Sequence, residues 1–371
     1  LDDNIFIIGM ISIVSALEKS GVLKLLSIKM LSKAKTPNSL LMMFVVGMGL
    51  LSAFLVNDSI ALMGIPLVIY ISKHLGIKPN VFLIALAFGV TVGSVMTPIG
   101  NPQNLLIALQ SGITLPLTNF IKFLALPTLV NLFLTFFILK IYFKKDLLQA
   151  HVALNSKIVE DYKIENHSLA KLSIIILVIT IAGFFVSEIL HYAHLAEIRI
   201  SIVAMAGAIA LYALSGDRRE ILKGVHYSVL VFFVAMFVVT AALWSSGAIS
   251  MFMKYLPTPD PNDVFQSNAL ISAYSVTLSQ ILSNVPFVAL YNYILIGAGF
   301  TGTHVAQWMM LAAASTIAGN LTILGAASTI IIIQATESKG VRAFTFLEFL
   351  KIGSVVTVAN LAVYYLFLVI F

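Results

Sequence analysis

Long uninterrupted apolar stretches constrain this chain more than any other feature of its sequence. They occupy positions 4–17, 39–72, 80–110, 117–143, 171–190, 198–214, 227–249, 264–297, 304–335 and 344–370. Most reach or exceed the roughly 20 residues that an α-helix needs to cross a bilayer. Membrane β-barrels alternate apolar and polar residues instead, and runs such as Ser173 to Ile181 lack that pattern. We therefore predict an all-α polytopic membrane protein.

Composition agrees with a lipid environment. Hydrophobic residues make up 60% of the chain and charged residues 10%, and the mean hydropathy is +1.02. The net charge of +6 does not point to nucleic acid, because the basic residues lie between apolar stretches, where the positive-inside rule explains them. Without cysteine, the chain has no disulfides, thiolate chemistry or iron–sulfur cluster. We expect a multi-pass protein of the cell membrane whose partner is the lipid bilayer.

Two apolar stretches, 39–72 and 264–297, are too long for one crossing, and each is interrupted by polar residues. Lysines flank the first on both sides, so we predict a re-entrant hairpin that enters from the cytoplasm. The flanks of the second, 257–262 and 297–303, carry no basic residue, so its hairpin is predicted to enter from outside. On this map all but three of the 22 basic residues face the cytoplasm; the exceptions are Lys122, Arg199 and Lys254.

Several segments recur in order at a nearly constant offset. The segment 11–21 resembles 238–247, the polar tip at Asn57 resembles that at Asn284, and Thr97 to Gly100 resembles Thr322 to Gly325. Similar segments of opposite predicted orientation indicate two inverted-topology repeats. We predict a first repeat over 1–143, a cytoplasmic linker over 144–170 and a second repeat over 171–371. Helices 171–190 and 198–214 have no counterpart in the first repeat, so about two further spans are expected upstream.

Each repeat contains a crossing segment that cannot remain helical throughout. The first contains Thr97-Pro98-Ile99-Gly100-Asn101-Pro102-Gln103-Asn104. Prolines and glycines interrupt helical hydrogen bonding there, which frees carbonyls for a cation and, after Pro102, N–H groups for an anion. The alternative is a proline kink that neighbouring helices satisfy. The second contains Gly319-Asn320-Leu321-Thr322-Ile323-Leu324-Gly325, where small residues serving only close helix packing are the alternative.

The hairpin tips supply further polar groups, Asn57-Asp58-Ser59 and Ser283-Asn284. They could simply cap the second arm of each hairpin. Asp58 is the most diagnostic residue, because a carboxylate at membrane depth is costly unless it is paired or functional, and the other acids lie at segment ends or in loops. The candidate substrate- and ion-binding residues are Asn57, Asp58, Ser59, Thr97, Pro98, Gly100, Asn101, Asn104, Ser283, Asn284, Asn320, Thr322, Gly325, Ser328 and Thr329.

With these motifs placed, the chain resembles the ion transporter superfamily that contains divalent anion/sodium symporters, bacterial citrate transporters, arsenite efflux permeases and some sodium/proton antiporters. The anion symporters carry Ser-Asn-Thr at both tips, whereas this chain has Val56-Asn57-Asp58 and Ser283-Asn284-Val285. Asn57-Asp58 is closer to the arsenite permeases. Thr329, where many relatives have asparagine, is a further departure.

The resemblance implies a hairpin-bearing transport domain that moves past a scaffold, commonly in a homodimer. It places a small inorganic or carboxylate anion at the tips and breaks, with Na⁺ near Asn57, Asp58, Gly100 and Asn284. No cofactor other than a coupling ion, Na⁺ or H⁺, is expected.

Several functions remain open at this point. Anion transport coupled to Na⁺ or H⁺ leads, followed by arsenite or antimonite efflux and by sodium/proton antiport; a channel is the rival outside active transport. An intramembrane enzyme is disfavoured, because the sequence lacks His-Glu-x-x-His and Gly-x-Gly-Asp motifs, and Asp58 alone cannot form an aspartyl dyad.

Overall fold

The computed structural model describes residues 2–22, 33–150, 166–225 and 257–370, with isolated positions in 25–29 and 227–247. Regular structure in this part of the chain is helical, which confirms the all-α prediction. The predicted span 227–249 lies largely outside the described residues. Positions 151–165 of the linker and Lys254 also lie outside them, as do several positions of the repeated segment 238–247.

The helices follow the apolar stretches closely. In the first part of the chain they are α1 (Asp2–Lys19), α2 (Pro37–Phe54), α3 (Asn57–Leu75), α4 (Asn80–Ser94), α5 (Pro102–Gln110), α6 (Pro116–Tyr142) and α7 (Lys144–Gln149). In the second part they are α8 (His167–Tyr192), α9 (Ile200–Leu214), α10 (Arg218–Gly224), α11 (Val264–Leu282), α12 (Asn284–Gly297), α13 (Val305–Ala318), α14 (Ala327–Glu337) and α15 (Phe346–Ile370).

Five of the described helices are long and apolar enough to cross a bilayer, namely α2, α3, α6, α8 and α15. Shorter apolar helices, α4, α9, α12 and α13, lie among them. Many large apolar side chains on the long helices are exposed, such as Ile141 and Val178. Exposed aliphatic side chains on helices of this length are stable in lipid and costly in water. The chain is therefore a multi-pass membrane protein.

Both overlong stretches fold as two packed helices joined at their polar tip. In the first, α2 ends at Phe54 and α3 begins at Asn57; in the second, Ser283 alone separates α11 from α12. Ser283 has a φ of 65°, in the left-handed region, which reverses the chain within one residue. Its side chain makes no capping hydrogen bond. At the first tip, Oδ1 of Asn57 accepts the backbone N–H of Asp58 at 3.0 Å and so satisfies one N–H group in the first turn of α3. Local capping therefore accounts for part of the first tip and not for the second.

Both predicted breaks are present. The first separates α4 from α5 over 95–101, and the second separates α13 from α14 over 319–326. Ahead of the first break, α2 and α4 approach very closely, since a Cβ added to Gly93 would overlap the backbone of Gly49. Small residues at a helix crossing permit this backbone approach.

The described helices pack as two groups that do not follow the order of the sequence. Group one contains α1, α8, α9 and α10, and group two contains α2 to α7 and α11 to α15. The closest contacts between the groups are α6 with α8 and α1 with α5. Within group two the halves pack reciprocally: α3 contacts α14, and α12 contacts α5. The inverted orientation of the repeats and their sequence boundaries stay predictions.

Candidate functional site

The first hairpin tip is bonded directly to the first break. The backbone N–H of Asn57 donates to the carbonyl of Gly100 at 2.9 Å. The Thr97 hydroxyl donates to the carbonyl of Ala53, near the end of the other hairpin arm. The same hydroxyl accepts the N–H groups of Ile99 and Gly100, both at 3.2 Å. One buried threonine thus satisfies backbone groups that the break releases, as buried backbone requires.

The side chain of Asn104 hydrogen-bonds the backbone carbonyls at the C-terminal end of α4. Its Nδ2 donates to the carbonyls of Ser94, Val95 and Thr97 at 3.1 to 3.2 Å. Asn101 caps α5, because its Oδ1 accepts the Asn104 backbone N–H at 2.9 Å. The carbonyls expected to face a cation therefore already accept protein hydrogen bonds. The oxygens of Ser94 and Thr97 each accept two such bonds, which occupy both lone pairs of each carbonyl. Cation binding at this break stays a prediction.

Thr316, on α13, joins the first break to the helix that leads into the second. Its hydroxyl oxygen accepts hydrogen bonds from Nδ2 of Asn101 at 3.2 Å and from Nε2 of Gln103 at 3.3 Å. It also lies 3.3 Å from Oδ1 of Asn104, to which it donates. All four side chains are buried. The first break is therefore hydrogen-bonded to the helix that leads into the second break.

The second break repeats the threonine arrangement of the first. The Thr322 hydroxyl donates to Oε1 of Gln280 at 2.7 Å, on the first arm of the second hairpin, and accepts the Leu324 N–H at 3.2 Å. Gln280 Nε2 in turn donates to the carbonyl of Ala318 at 2.9 Å. The tip touches this break as well, because a Cβ added to Gly319 would lie 2.9 Å from Nδ2 of Asn284.

The second tip and break contain buried polar side-chain atoms that have no hydrogen-bond partner among the described residues. Asn320 is fully buried, yet neither its Oδ1 nor its Nδ2 has a partner among the described residues. Oδ1 of Asn284 and the hydroxyls of Ser328 and Thr329 are in the same condition. An unsatisfied buried polar group costs about 1–3 kcal/mol. Such a cluster is stable when water, an ion or a solute supplies the missing bonds.

The remaining predicted residues occupy three places. Asp58 is partly buried in the first turn of α3, where the helix dipole stabilises a negative charge, and Ser59 beside it is buried. Pro98 faces the other helix group, in a crevice that Phe6 and Ile7 of α1 also line. Gly325 packs against Oε1 of Gln280, 3.0 Å from where its Cβ would stand.

Sequence reasoning missed three connecting residues. Gln103 lies inside the motif 97–104 but was not chosen, and Thr316 lies three positions before Gly319. Gln280 precedes the second tip by three positions in an otherwise apolar arm. These residues could have been predicted as single amide or hydroxyl side chains close in sequence to a tip or a break.

The site contains no cluster typical of a transition metal. Among the described residues no group of three or more histidine, aspartate or glutamate side chains lies together. The site instead offers amides, hydroxyls and main-chain groups, which suit hard monovalent ions and oxygen-rich solutes.

The profile of the citrate transporter family matches residues 4–318. The chain belongs to the citrate transporter family. The match covers α1, both hairpins, the first break and α13. This confirms the resemblance to the ion transporter superfamily.

Curated relatives are also transporters. An uncharacterised transporter of Mycobacterium bovis is 27% identical over 369 residues, covering 97% of this chain and 84% of the relative. Silicon efflux transporter LSI3 of Oryza sativa is 27% identical, covering 77% and 69%. Putative transporter arsB of Dictyostelium discoideum is 22% identical, covering 95% and 79%.

Two solved transporters share the fold. The YdaH transporter of Alcanivorax borkumensis superposes with a TM-score of 0.54 at 13% identity, covering 98% of this chain and 84% of YdaH. MtrF of Neisseria gonorrhoeae superposes with a TM-score of 0.56 at 14% identity, covering 99% and 80%. At this identity the likeness concerns architecture alone.

Proposed function

We propose that this transporter moves a small inorganic or carboxylate anion across the cell membrane by alternating access, coupled to Na⁺ or H⁺. The observation that carries the proposal is the set of unsatisfied buried polar groups at the second tip, Asn284, and around the second break, Asn320, Ser328 and Thr329. Its amides and hydroxyls can exchange hydrogen bonds with a guest or with water. They lie at a tip and a break, where a solute can be enclosed by packed helices on both sides.

Helix termini supply the electrostatics for an anion. The helices α3, α5, α12 and α14 all begin at the tips and breaks. The N-terminal end of a helix carries a partial positive charge and unsatisfied N–H groups. The first turns of α5, α12 and α14 contain no acidic residue. Asn101 already caps α5, whereas α12 and α14 begin without a side-chain cap. The positive ends of α12 and α14 are therefore available to a negatively charged solute.

Helix ends of the opposite sign support a coupling cation. The helices α2, α4, α11 and α13 end at the same tips and breaks, and helix C-termini carry partial negative charge. We place Na⁺ near Asn57, Asp58, Gly100 and Asn284, where a cation would offset both the Asp58 carboxylate and a bound anion. If H⁺ couples transport instead, Asp58 is the proton carrier. The transporter is also proposed to assemble as a homodimer.

Arsenite or antimonite efflux is the second candidate. None of the proposed site residues is lysine or arginine, so the site suits a small hydroxylated solute of low charge. One relative is a silicon efflux transporter and another is named arsB. Sodium/proton antiport is the third candidate, and a channel is the least favoured.

Proteoliposome uptake separates these candidates. Labelled citrate, succinate, sulfate, phosphate and arsenite are offered under an imposed Na⁺ gradient and then an H⁺ gradient. Concentrative uptake of one anion under one gradient supports the proposal and names both solute and ion. Dissipation of a preset pH gradient by Na⁺, with no solute uptake, would favour antiport. Flux of a solute that never exceeds equilibrium would contradict coupled transport.

A further inference from the structure

Glu188 is unusual among the charged residues of this protein. Within the part of the chain that the structure describes, it is the only acidic or basic side chain in the buried core, with 5% of its surface exposed. It lies on α8, in group one, near the end of the apolar stretch 171–190. Burying an ionised carboxylate is costly unless hydrogen bonds compensate it.

The compensation comes from the first turn of α6, in group two. One carboxylate oxygen accepts the backbone N–H of Leu117. The other accepts the Thr118 backbone N–H at 3.2 Å and the Thr118 hydroxyl at 2.6 Å. Hydrogen bonds to a charged acceptor are the strong ones. Glu188 therefore holds the start of α6 from a position 70 residues further along the chain.

No local group caps α6. Leu115, at its N-cap position, makes no side-chain hydrogen bond, and the first turn contains no acidic residue. The unsatisfied N–H groups and partial positive charge of the N-terminus are thus met from the other helix group. Because α6 packs on α2, α4, α13 and α15, fixing its start also fixes group two.

The rest of the contact between the groups near Glu188 is largely apolar. Pro98 and Ile99 of the first break line one crevice with Glu188, Phe184 and Ile200. A second crevice lies between Ile7 of α1 and Leu105 of α5. Apolar side chains can slide past one another or face lipid. A buried carboxylate that loses three donors cannot do so at comparable cost.

We infer that Glu188 is a polar latch between the two helix groups, and that transport requires its release whenever the groups move relative to each other. Glu188 is thereby a positioning residue that sets how often the groups separate, without touching the solute. The inference rests on the proposed alternating access for its role in transport. The latch itself is tested without a solute.

The absence of cysteine from the chain allows a direct test in liposomes. A single cysteine at Leu105, in the crevice between the groups, is labelled by a water-soluble maleimide at a rate proportional to the population of the separated state. Glu188→Gln should raise this rate about tenfold and Thr118→Val about threefold, which correspond to losing a charged and a neutral hydrogen bond. Thr118→Ser, which keeps the hydroxyl, should restore the parent rate.

Two controls test whether the substitution destabilises the whole protein instead of the contact between the helix groups. A single cysteine at Ala312, fully buried inside group two, should be labelled equally slowly with and without Glu188→Gln. Glu220→Gln, the same chemical change at an exposed glutamate of α10, should not affect labelling at position 105. Unchanged labelling at position 105 in Glu188→Gln, or an equal rise at positions 105 and 312, would overturn the latch. Failure of every uptake experiment would not affect this result.

Discussion

The hydroxyl of Thr316 lies 3.3 Å from Oδ1 of Asn104, and this contact joins the two interrupted helices. The same hydroxyl receives hydrogen bonds from Asn101 and Gln103. A threonine on a helix of the second half therefore organises the polar side chains of the first break. This connection links the first break to the helix that leads into the second.

Thr316→Val should destabilise the protein by about 1–3 kcal/mol, because three buried side chains lose a partner while shape is nearly kept. A lower midpoint of thermal unfolding in detergent measures the effect. Thr316→Ser, which keeps the hydroxyl, should be close to the parent. Equal stability of the valine and serine variants would show that the contact contributes little.

Asn320→Ala should weaken apparent solute or cation affinity about tenfold or more, since a guest would lose one or two hydrogen bonds. Its stability without ligand should change little or rise, because two unsatisfied buried polar atoms are removed. Asn268→Ala is the matched control: Asn268 is also buried and has an unpartnered Oδ1, but it lies at the far end of α11. If the two variants bind alike, Asn320 is not a ligand.

Gly319→Ala should displace the second hairpin tip. The added Cβ would stand 2.9 Å from Nδ2 of Asn284 and 2.7 Å from Cβ of Ala326, both closer than van der Waals contact. We expect weaker apparent affinity with the helical content kept, measured by uptake and circular dichroism. Gly297→Ala, where nothing lies within 4 Å, should behave like the parent. Parent-like affinity in Gly319→Ala would argue against contact between tip and solute.

Asp58→Asn should abolish the dependence of transport on its coupling ion, because the amide keeps the size of the side chain but neither carries charge nor takes up a proton. The measurement is initial uptake rate against Na⁺ concentration and against pH. Ser59→Ala, which alters the neighbouring residue without altering charge, should retain the dependence. Unaltered cation dependence in Asp58→Asn would remove this carboxylate from coupling.

Many of the helix positions could be predicted from hydropathy and from the residues that interrupt helices. The polar interruption at Asn57 and the proline–glycine break after Thr97 are local signals, and helices indeed end and restart there. The partners of the site residues could not be predicted in this way. Thr316 is an ordinary small residue in an apolar helix, and its role depends on a contact with Asn104 more than 200 positions away.

Glu188 shows the same limit for charge. A glutamate near the end of an apolar stretch usually reaches the membrane surface, so its position suggests exposure. The packing of α8 against α6 buries it instead and supplies donors from Leu117 and Thr118. Only the three-dimensional arrangement identifies the uncapped start of α6 as the reason.

The central claim is that the hairpin tips bind the transported solute. It is tested most directly by the apparent affinity of Asn57→Ala and Asn284→Ala in the uptake assay that first gives concentrative transport. We predict that both variants bind the solute or its coupling ion about tenfold more weakly, with unchanged amounts of folded protein. Parent affinity in both would contradict a site at the tips.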